Sequence, residues 1–491
     1  MKIGMNLVAP VYFSRAWTFD NVIKMSRTWM FRGGTPEDKV PVFEDGYPDF
    51  SQIEDGQSVV TTIFSSAQGH YPGGYYLFFY RGQGNISFSS NVDVISNDGP
   101  FWVLDVDPSV GSITMFIDSS DPTDHIRDMI LTPASEWSGS PYQKIYIDHV
   151  KRFDTVRVGA LQGVVNITVA PDVNKRHVPN SVRYLGNGTG SSLPKGEDGV
   201  PIELLVTLAN EAQVNPWFQM YHLFNEEYVR KFAQIVRDNL DPKLKARVEW
   251  SNEAWNSQFL VNSWVANEAE RLGISTSEVI AQEIDRNWNI WLEEFAGQED
   301  RIVKVIGAWN GNPSFAQDLL ETGLVGDELA VAPYIGIPRN ISSAYDSNTT
   351  VDQIFIDLNL AMPTVLERTA AHLQLAKQYN LKLVCYEGGQ GLISQLPWRE
   401  AAFAAQRDSR MVDLYRALIP ALQALEMEVF CHFNDISDQT DSFGSSWGAS
   451  EFQDEDGLKM LAILEFVPKA PNTPPWRPTG KRNVQSTKED N

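Results

Sequence analysis

Apolar and polar positions along the 491 residues fall into two regimes. Residues 2–8 read as an apolar strand, and Trp17–Trp29 sets Phe19, Val22, Ile23 and Ser26 at helical spacing, which predicts a first βα unit. From about Lys39 to Thr132 the pattern changes to short β-rich runs separated by Gly, Asn, Asp and Pro, among them Ser58–Phe64, Tyr75–Tyr80, Asn85–Phe88, Phe101–Asp105 and Ser112–Ile117. Short strands at this spacing, with turn residues between them, predict an inserted β-sandwich. In Tyr75-Tyr-Leu-Phe-Phe-Tyr80 nearly every position is apolar, so the expectation is a strand covered on both faces rather than a displayed aromatic surface.

After the insert, strand and helix patterns alternate, the signature of a parallel α/β architecture. Strands are predicted at 154–160, 216–223, 247–253, 301–309, 328–334, 381–387 and 428–433. Helices are predicted over Ile202–Ala212, Glu226–Asn239, Ser314–Glu321 and Arg399–Leu425, and from about Ser277 to Ala296 behind the capping-box pattern Ser275-Thr-Ser-Glu278. A further helical region, Val351–Tyr379, contains Pro363, which is expected to break or kink it. With residues 2–8 the strands number eight, which predicts a (β/α)8 TIM barrel whose site lies at the carboxyl ends of the strands. The expected organisation is a barrel start at 1–38, an inserted β-sandwich at 39–135, the remainder of the barrel at 136–470 and a flexible tail at 471–491.

Composition narrows the partners. With 43% hydrophobic and 21% charged residues the chain is an ordinary globular protein, and its net charge of −23 repels phosphate backbones and anionic lipid. Nucleic acid and membrane are therefore not expected as partners, and no apolar run is long enough to span a bilayer. Two cysteines, Cys385 and Cys431, exclude a disulfide framework and a cysteine-based zinc site, and read as buried thiols. Met1–Pro10 lacks a signal-peptide pattern, so the protein is expected to be virion-associated, released by lysis, or secreted with its signal removed. No phosphate-binding Gly-rich loop precedes a Lys-Ser/Thr pair, and the Asp-rich stretches Asp118–Asp121 and Ser437–Asp441 lack the spacing of a calcium loop and read as solvated.

The chemistry concentrates at two strand ends. Arg247-Val-Glu-Trp-Ser-Asn-Glu-Ala-Trp-Asn256 reads as a strand ending in an Asn-Glu pair, and Leu381–Gln390 as a strand whose Glu387 precedes two glycines. Two strand-terminal glutamates in one barrel mouth are what retaining glycoside hydrolysis requires, Glu253 as acid/base and Glu387 as nucleophile. A nucleophilic carboxylate needs donors, and Arg157 and Tyr334 are the available ones. Asn252 suits a hydrogen bond to a sugar hydroxyl, His222 can supply another, and Trp309 and Trp447 can serve as apolar platforms for sugar rings. Glu249 shares the period-two face of Glu253 and reads as a structural carboxylate paired with Arg or Lys inside the barrel. Its partner is a second reading for Arg157, as a hydrogen-bonded core histidine is for His222. Trp255, Trp288 and Trp291 read as core.

The Glu249-Trp-Ser-Asn-Glu253 pattern with Glu387 resembles the clan A retaining glycoside hydrolases, including the family 5 cellulases and mannanases. In that resemblance Arg157, His222, Asn252, Glu253, Tyr334 and Glu387 match the strand-two Arg, strand-three His, Asn-Glu tip, strand-six Tyr and nucleophile. Gly4-Met-Asn-Leu7, Tyr71-Pro-Gly-Gly-Tyr75, Asn215-Pro-Trp-Phe218, Ala332-Pro-Tyr334 and Tyr386-Glu-Gly-Gly-Gln390 look like a group of bacterial and phage proteins of this barrel type with a β-sandwich insert. Strand eight, His432-Phe-Asn-Asp435, departs from it in having no Trp at its tip, which leaves Trp447 as the substitute, and Ala254 stands where family 5 has proline. The resemblance implies a cofactor-free hydrolase acting on a poly- or oligosaccharide, with oligomeric state open. Two alternatives stay open: an inverting hydrolase, and a non-catalytic carbohydrate-binding or virion structural protein on the same scaffold.

Overall fold

The computed structural model describes residues 1–468 except 36, 136, 138, 164–167, 185–198, 394–396 and 439–445. The tail expected at 471–491 thus lies outside the described residues. Eight parallel strands close into a (β/α)8 barrel in chain order: Lys2–Asn6, Thr155–Arg157, Asn215–Met220, Ala246–Trp250, Ile302–Gly307, Glu328–Val331, Lys382–Cys385 and Val429–His432. They are called strands one to eight below. Strand one closes the ring, pairing Asn6 with Arg157 on one side and Met5 with His432 on the other.

Period-two alternation turns one set of side chains inward, and Trp217, Val305, Ala330, Val384, Tyr386, Val429 and Cys431 form the apolar part of that interior. The fill is tight at strand one, where a Cβ on Gly4 would stand 2.4 Å from Cys431 Sγ and 2.9 Å from the Thr155 carbonyl. The interior also holds charge. Arg247 donates to both Glu328 oxygens at 2.9 Å and to Thr155 Oγ1 at 3.0 Å, so neither ion is left unpaired away from water.

Helices cover the outside. The Ser275–Glu278 capping box is present and opens Thr276–Glu294, whose Trp288 and Trp291 are buried against the barrel. Pro363 does not break its helix, because Val351–Gln378 is continuous and buries Leu358, Met362, Val365 and Thr369 around the proline. The packing of those flanking turns offsets the roughly 3 kcal/mol cost of a mid-helix proline. The region predicted as one helix over Arg399–Leu425 is two, Arg399–Gln406 and Arg410–Ala424. Asp408 divides them by accepting the Arg410 N–H at 2.9 Å.

The helix predicted over Trp17–Trp29 is not formed. Val22–Met25 makes a short 3-10 turn, capped by Asn21, and Phe19 is drawn into a bridge with Tyr142. Tertiary pairing overrides the helical spacing there, and the helix that leads into strand two is Lys144–Val150, on the far side of the insert. Between them lie two four-stranded antiparallel sheets. One runs in the order Met30–Phe31, Val59–Ile63, Ile113–Ser120, Gly84–Phe88, and the other Val92–Asp98, Phe101–Val106, Gly74–Arg81, Arg127–Pro133. Antiparallel pairing therefore begins at Met30, ahead of the boundary expected near residue 39. Phe78 and Trp102 of the second sheet meet Phe88 of the first at 5.5 and 6.2 Å between ring centres. The Tyr75–Tyr80 strand is not covered on both faces: Tyr76, Phe78 and Tyr80 are buried, whereas Tyr75 is 60% exposed.

The insert is fastened to the barrel at the loop after strand eight. His70 stacks on Phe452 at 3.8 Å and bonds Asp454 at 3.0 Å, while Trp17 donates to the His70 carbonyl at 2.7 Å.

Removing the cation from the interior pair would strand a buried carboxylate. Arg247→Met is expected to lower unfolding stability by about 3–5 kcal/mol, read as a shift in urea midpoint.

Candidate active site

The carboxyl ends of the strands bring together residues far apart in the chain, and the centre of the cluster is Arg157 at the end of strand two. Its Nε and Nη2 donate to Glu249 at 2.8 and 3.0 Å, a two-pronged pair on strand four. Nη1 donates to Glu387 Oε1 at 2.6 Å and to Asn6 Oδ1 at 3.2 Å, and Nη2 reaches Asn252 Oδ1 at 2.9 Å. Glu249 also accepts from Trp217 Nε1 at 2.8 Å, so its oxygens are spent inside the barrel.

Strand four ends at Trp250, three residues before Glu253, not at Glu253 as the alternation predicts. Ser251 and Glu253 then take φ values of 58° and 44°, the left-handed region that costs non-glycine residues free energy. The turn is held by Gln219, whose Nε2 donates to the Ser251 carbonyl and to Asn252 Oδ1, both at 3.0 Å. Gln219 needs the space of a glycine opposite it, since a Cβ on Gly159 would sit 1.5 Å from its Oε1. The result frees Glu253 from the face of Glu249 and hands it two donors, Tyr386 Oη to Oε1 at 2.7 Å and Asn256 Nδ2 to Oε2 at 2.8 Å.

Glu387 stands two residues past strand seven, and Tyr334 three residues past strand six. A short parallel pair, Tyr334–Ile335 with Gly389–Gln390, locks these two loops together and was not anticipated from the pattern. Tyr334 Oη donates to Glu387 Oε2 at 3.0 Å, so both oxygens of Glu387 have a donor. Burial pushes the Glu387 carboxyl up to about 7; the Arg157 charge opposes that shift and the Glu253 charge adds to it. The Glu253 charge felt at Glu387 places the two glutamates in one electrostatic neighbourhood. Burial, then the adjoining carboxylates, holds the Tyr334 and Tyr386 phenols well above their ordinary value, so both remain neutral donors.

Other candidates stand differently. His222 lies two residues past strand three with its ring against Tyr221 and Trp264, and no described hydrogen bond joins it to either glutamate. Burial lowers its imidazole to about 4, so it is uncharged at neutral pH, and its Nδ1 is buried without a partner. Trp309, two residues past strand five, is 48% exposed. Trp447 packs on Phe433 at 5.4 Å, and Phe433 meets the Tyr334 ring at 6.5 Å, so Phe433 occupies the strand-eight tip and connects the loop tryptophan to the site.

Tyr386, Asn256, Gln219 and Asn6 were not singled out by the sequence. Asn6 donates to the Tyr386 and His432 carbonyls at 2.8 and 3.1 Å, bridging the barrel seam. The spacing Glu253-Ala-Trp-Asn256 is the signal for Asn256, and Asn6 and Tyr386 stand in the motifs Gly4-Met-Asn-Leu7 and Tyr386-Glu-Gly-Gly-Gln390 without a role of their own there; Gln219 carries no signal, since an inward glutamine looks like core. Among the described residues no group of His, Cys, Asp or Glu could hold a metal ion, and no helix is long and apolar enough to cross a membrane. Asp118 accepts from Ser58 and Ser87 at 2.8 Å, and the stretch Ser437–Asp441 runs partly outside the described residues. Cys385 and Cys431 are buried free thiols.

No protein-family model and no curated protein matches this chain. Solved structures do. They include a 4-O-alpha-L-rhamnosyl-beta-D-glucuronidase from Fusarium oxysporum 12S (10% identity, 67% of this chain and 61% of that chain, TM-score 0.38). A family 51 alpha-L-arabinofuranosidase from Thermotoga petrophila RKU-1 matches at 12% identity, over 67% of this chain and 65% of that chain, with a TM-score of 0.41. A Bacteroidetes-affiliated family 5 cellulase matches at 11% identity, over 68% and 86% of the two chains, with a TM-score of 0.37. The chain spans less than two thirds of the length of the first two.

Glu387 with a raised carboxyl is uncharged in the folded protein over a range where the unfolded chain has already lost that proton, so it contributes less stability as pH rises from about 4.5 to about 7. Glu387→Gln is therefore expected to match the parent below pH 4.5 and to exceed it by on the order of 3 kcal/mol above pH 7, measured by denaturation across pH.

Proposed function

We propose that the protein is a retaining glycoside hydrolase that cleaves O-glycosidic bonds of a poly- or oligosaccharide by double displacement, with carbohydrate as its partner and no cofactor in the reaction. The observation that carries this reading is that Glu253 and Glu387 each hold two donors of their own in one barrel mouth: Tyr386 and Asn256 on the first, Arg157 and Tyr334 on the second.

Glu387 attacks the anomeric carbon while Glu253 protonates the departing oxygen; Glu253 then takes a proton from water as that water displaces Glu387 from the sugar. Arg157 and Tyr334 aim the Glu387 carboxylate and stabilise its charge when it is released. Asn252, fixed by Arg157 and Gln219 through its oxygen, keeps its amide nitrogen for a sugar hydroxyl. The half-exposed Trp309 and the Phe433–Trp447 pair supply flat apolar surface for sugar rings. His222, neutral and with an unpartnered ring nitrogen, is a further candidate for substrate contact.

Glu387→Gln is expected to remove turnover by at least about 10³-fold with the fold intact, and Glu253→Gln to lower kcat by about 10²–10⁴-fold on substrates with poor leaving groups. Trapping with a 2-deoxy-2-fluoro glycoside should attach the sugar to Glu387. Glycan binding with neither adduct nor hydrolysis would point to a carbohydrate-binding protein, and release of the inverted anomer, read by proton NMR, to an inverting enzyme.

Because the nucleophile must be ionised, kcat/KM on 2,4-dinitrophenyl glycosides, whose leaving group needs no acid, is expected to climb about tenfold per pH unit below the Glu387 titration near 7 and to level off above it. A profile flat from pH 5 to 8 would contradict this role for Glu387.

A further inference from the structure

Tyr386 has no role in the reaction as set out above, yet it is the described residue outside the Ser251–Asn256 loop that hydrogen-bonds Glu253. Val384 and Tyr386 both belong to the interior cluster, so strand-seven alternation sends the tyrosine inward. The next residue in the chain is Glu387. One dipeptide thus contributes one carboxylate of the pair and the donor that holds the other.

Glu253 sits in a turn with unfavourable φ values, and Asn256, its other donor, moves with that same turn. Tyr386 is 1% exposed, and the Asn6 amide fixes its backbone carbonyl at 2.8 Å. It is consequently a rigid anchor for a carboxyl that would otherwise be positioned by its own loop. We propose that Tyr386 is a positioning residue for Glu253: its phenol holds the carboxyl in the mouth, aimed at the water of the second step.

An O–H donor stabilises a carboxylate over its protonated form. The phenol stays neutral beside Glu253 and Glu387, so it donates throughout. Arg157 lies over the Tyr386 ring at 5.0 Å and also bonds Glu387. A cation over the ring face draws electron density from the phenol and strengthens its O–H as a donor. The titratable groups facing Glu253 are Tyr386, Tyr334 and Glu387, with Arg157 behind them.

The anchoring itself is independent of any substrate; only the kinetic arm rests on the glycosidase reading. Glutamate labelled with ¹³C at the carboxyl, assigned through Glu253→Gln, reports the Glu253 titration in the full chain. Tyr386→Phe is expected to move its midpoint up by about one pH unit. Site-specific 3-fluorotyrosine at position 386, a stronger donor of nearly the same shape, should move it down. The opposite signs separate hydrogen bonding from loss of packing, and the fluorinated protein decides the matter if the phenylalanine variant does not fold. On 2,4-dinitrophenyl glycosides, whose leaving group needs no acid, Tyr386→Phe should lower kcat about tenfold and lower KM with it, as the glycosyl-enzyme accumulates. A Glu253 midpoint unmoved in both variants would overturn the proposal. A moved midpoint in a parent protein that cleaves no glycoside would leave the anchor standing and overturn the glycosidase reading instead.

Discussion

The Arg157 guanidinium is a fixed cation buried where four chain segments converge, in a protein whose net charge is −23. Removing an ion from water is costly unless its hydrogen-bonding capacity is met, and Arg157 meets it with Glu249, Glu387, Asn6 and Asn252. The planar fork of five donors is what lets one side chain serve two carboxylates and two amides; a lysine offers neither the number nor the geometry. Two acids share the one cation, and Glu249 has the two-pronged share. Glu387 is left undercompensated, which is why burial dominates at its carboxyl.

That division separates the enclosed acid from the one proposed to react within a few residues of sequence. Glu249 is enclosed by Arg157 and Trp217, whereas Glu253 is carried clear of the strand by a turn with two left-handed residues. The free energy of that turn is offset by Gln219 and Arg157, which bond its backbone and the Asn252 amide oxygen. The buried polar groups beneath the mouth therefore set where the exposed ones lie, and a change at Gly159 or Gln219 would reach Glu253 without touching it.

The insert interrupts the chain between strand one and the Lys144–Val150 helix, yet strand one and strand two still pair through Asn6 and Arg157. Barrel closure depends on those strand contacts and not on the length of the connection, since loop-closure entropy grows only slowly with length. By stacking on Phe452, the insert touches the same post-strand-eight segment that carries Trp447.

Eight apolar runs alternating with helix-length amphipathic stretches determined the barrel from sequence alone, because a strand buried on both faces and a helix buried on one leave distinct periodic traces. Glu253 and Glu387 drew attention for the same reason, each closing a predicted strand run beside Asn or Gly, and the structure sets them three and two residues past the strand ends. Tertiary structure decided what periodicity does not encode. It pulled Phe19 to Tyr142 in place of a first helix, kept Val351–Gln378 intact through Pro363, and exposed Tyr75 on a strand whose composition reads as covered. It also selected the partners of each carboxylate. An inward tyrosine such as Tyr386 looks the same in sequence whether its hydroxyl meets Glu253 or a backbone carbonyl, and only the distance across the closed barrel distinguishes the two.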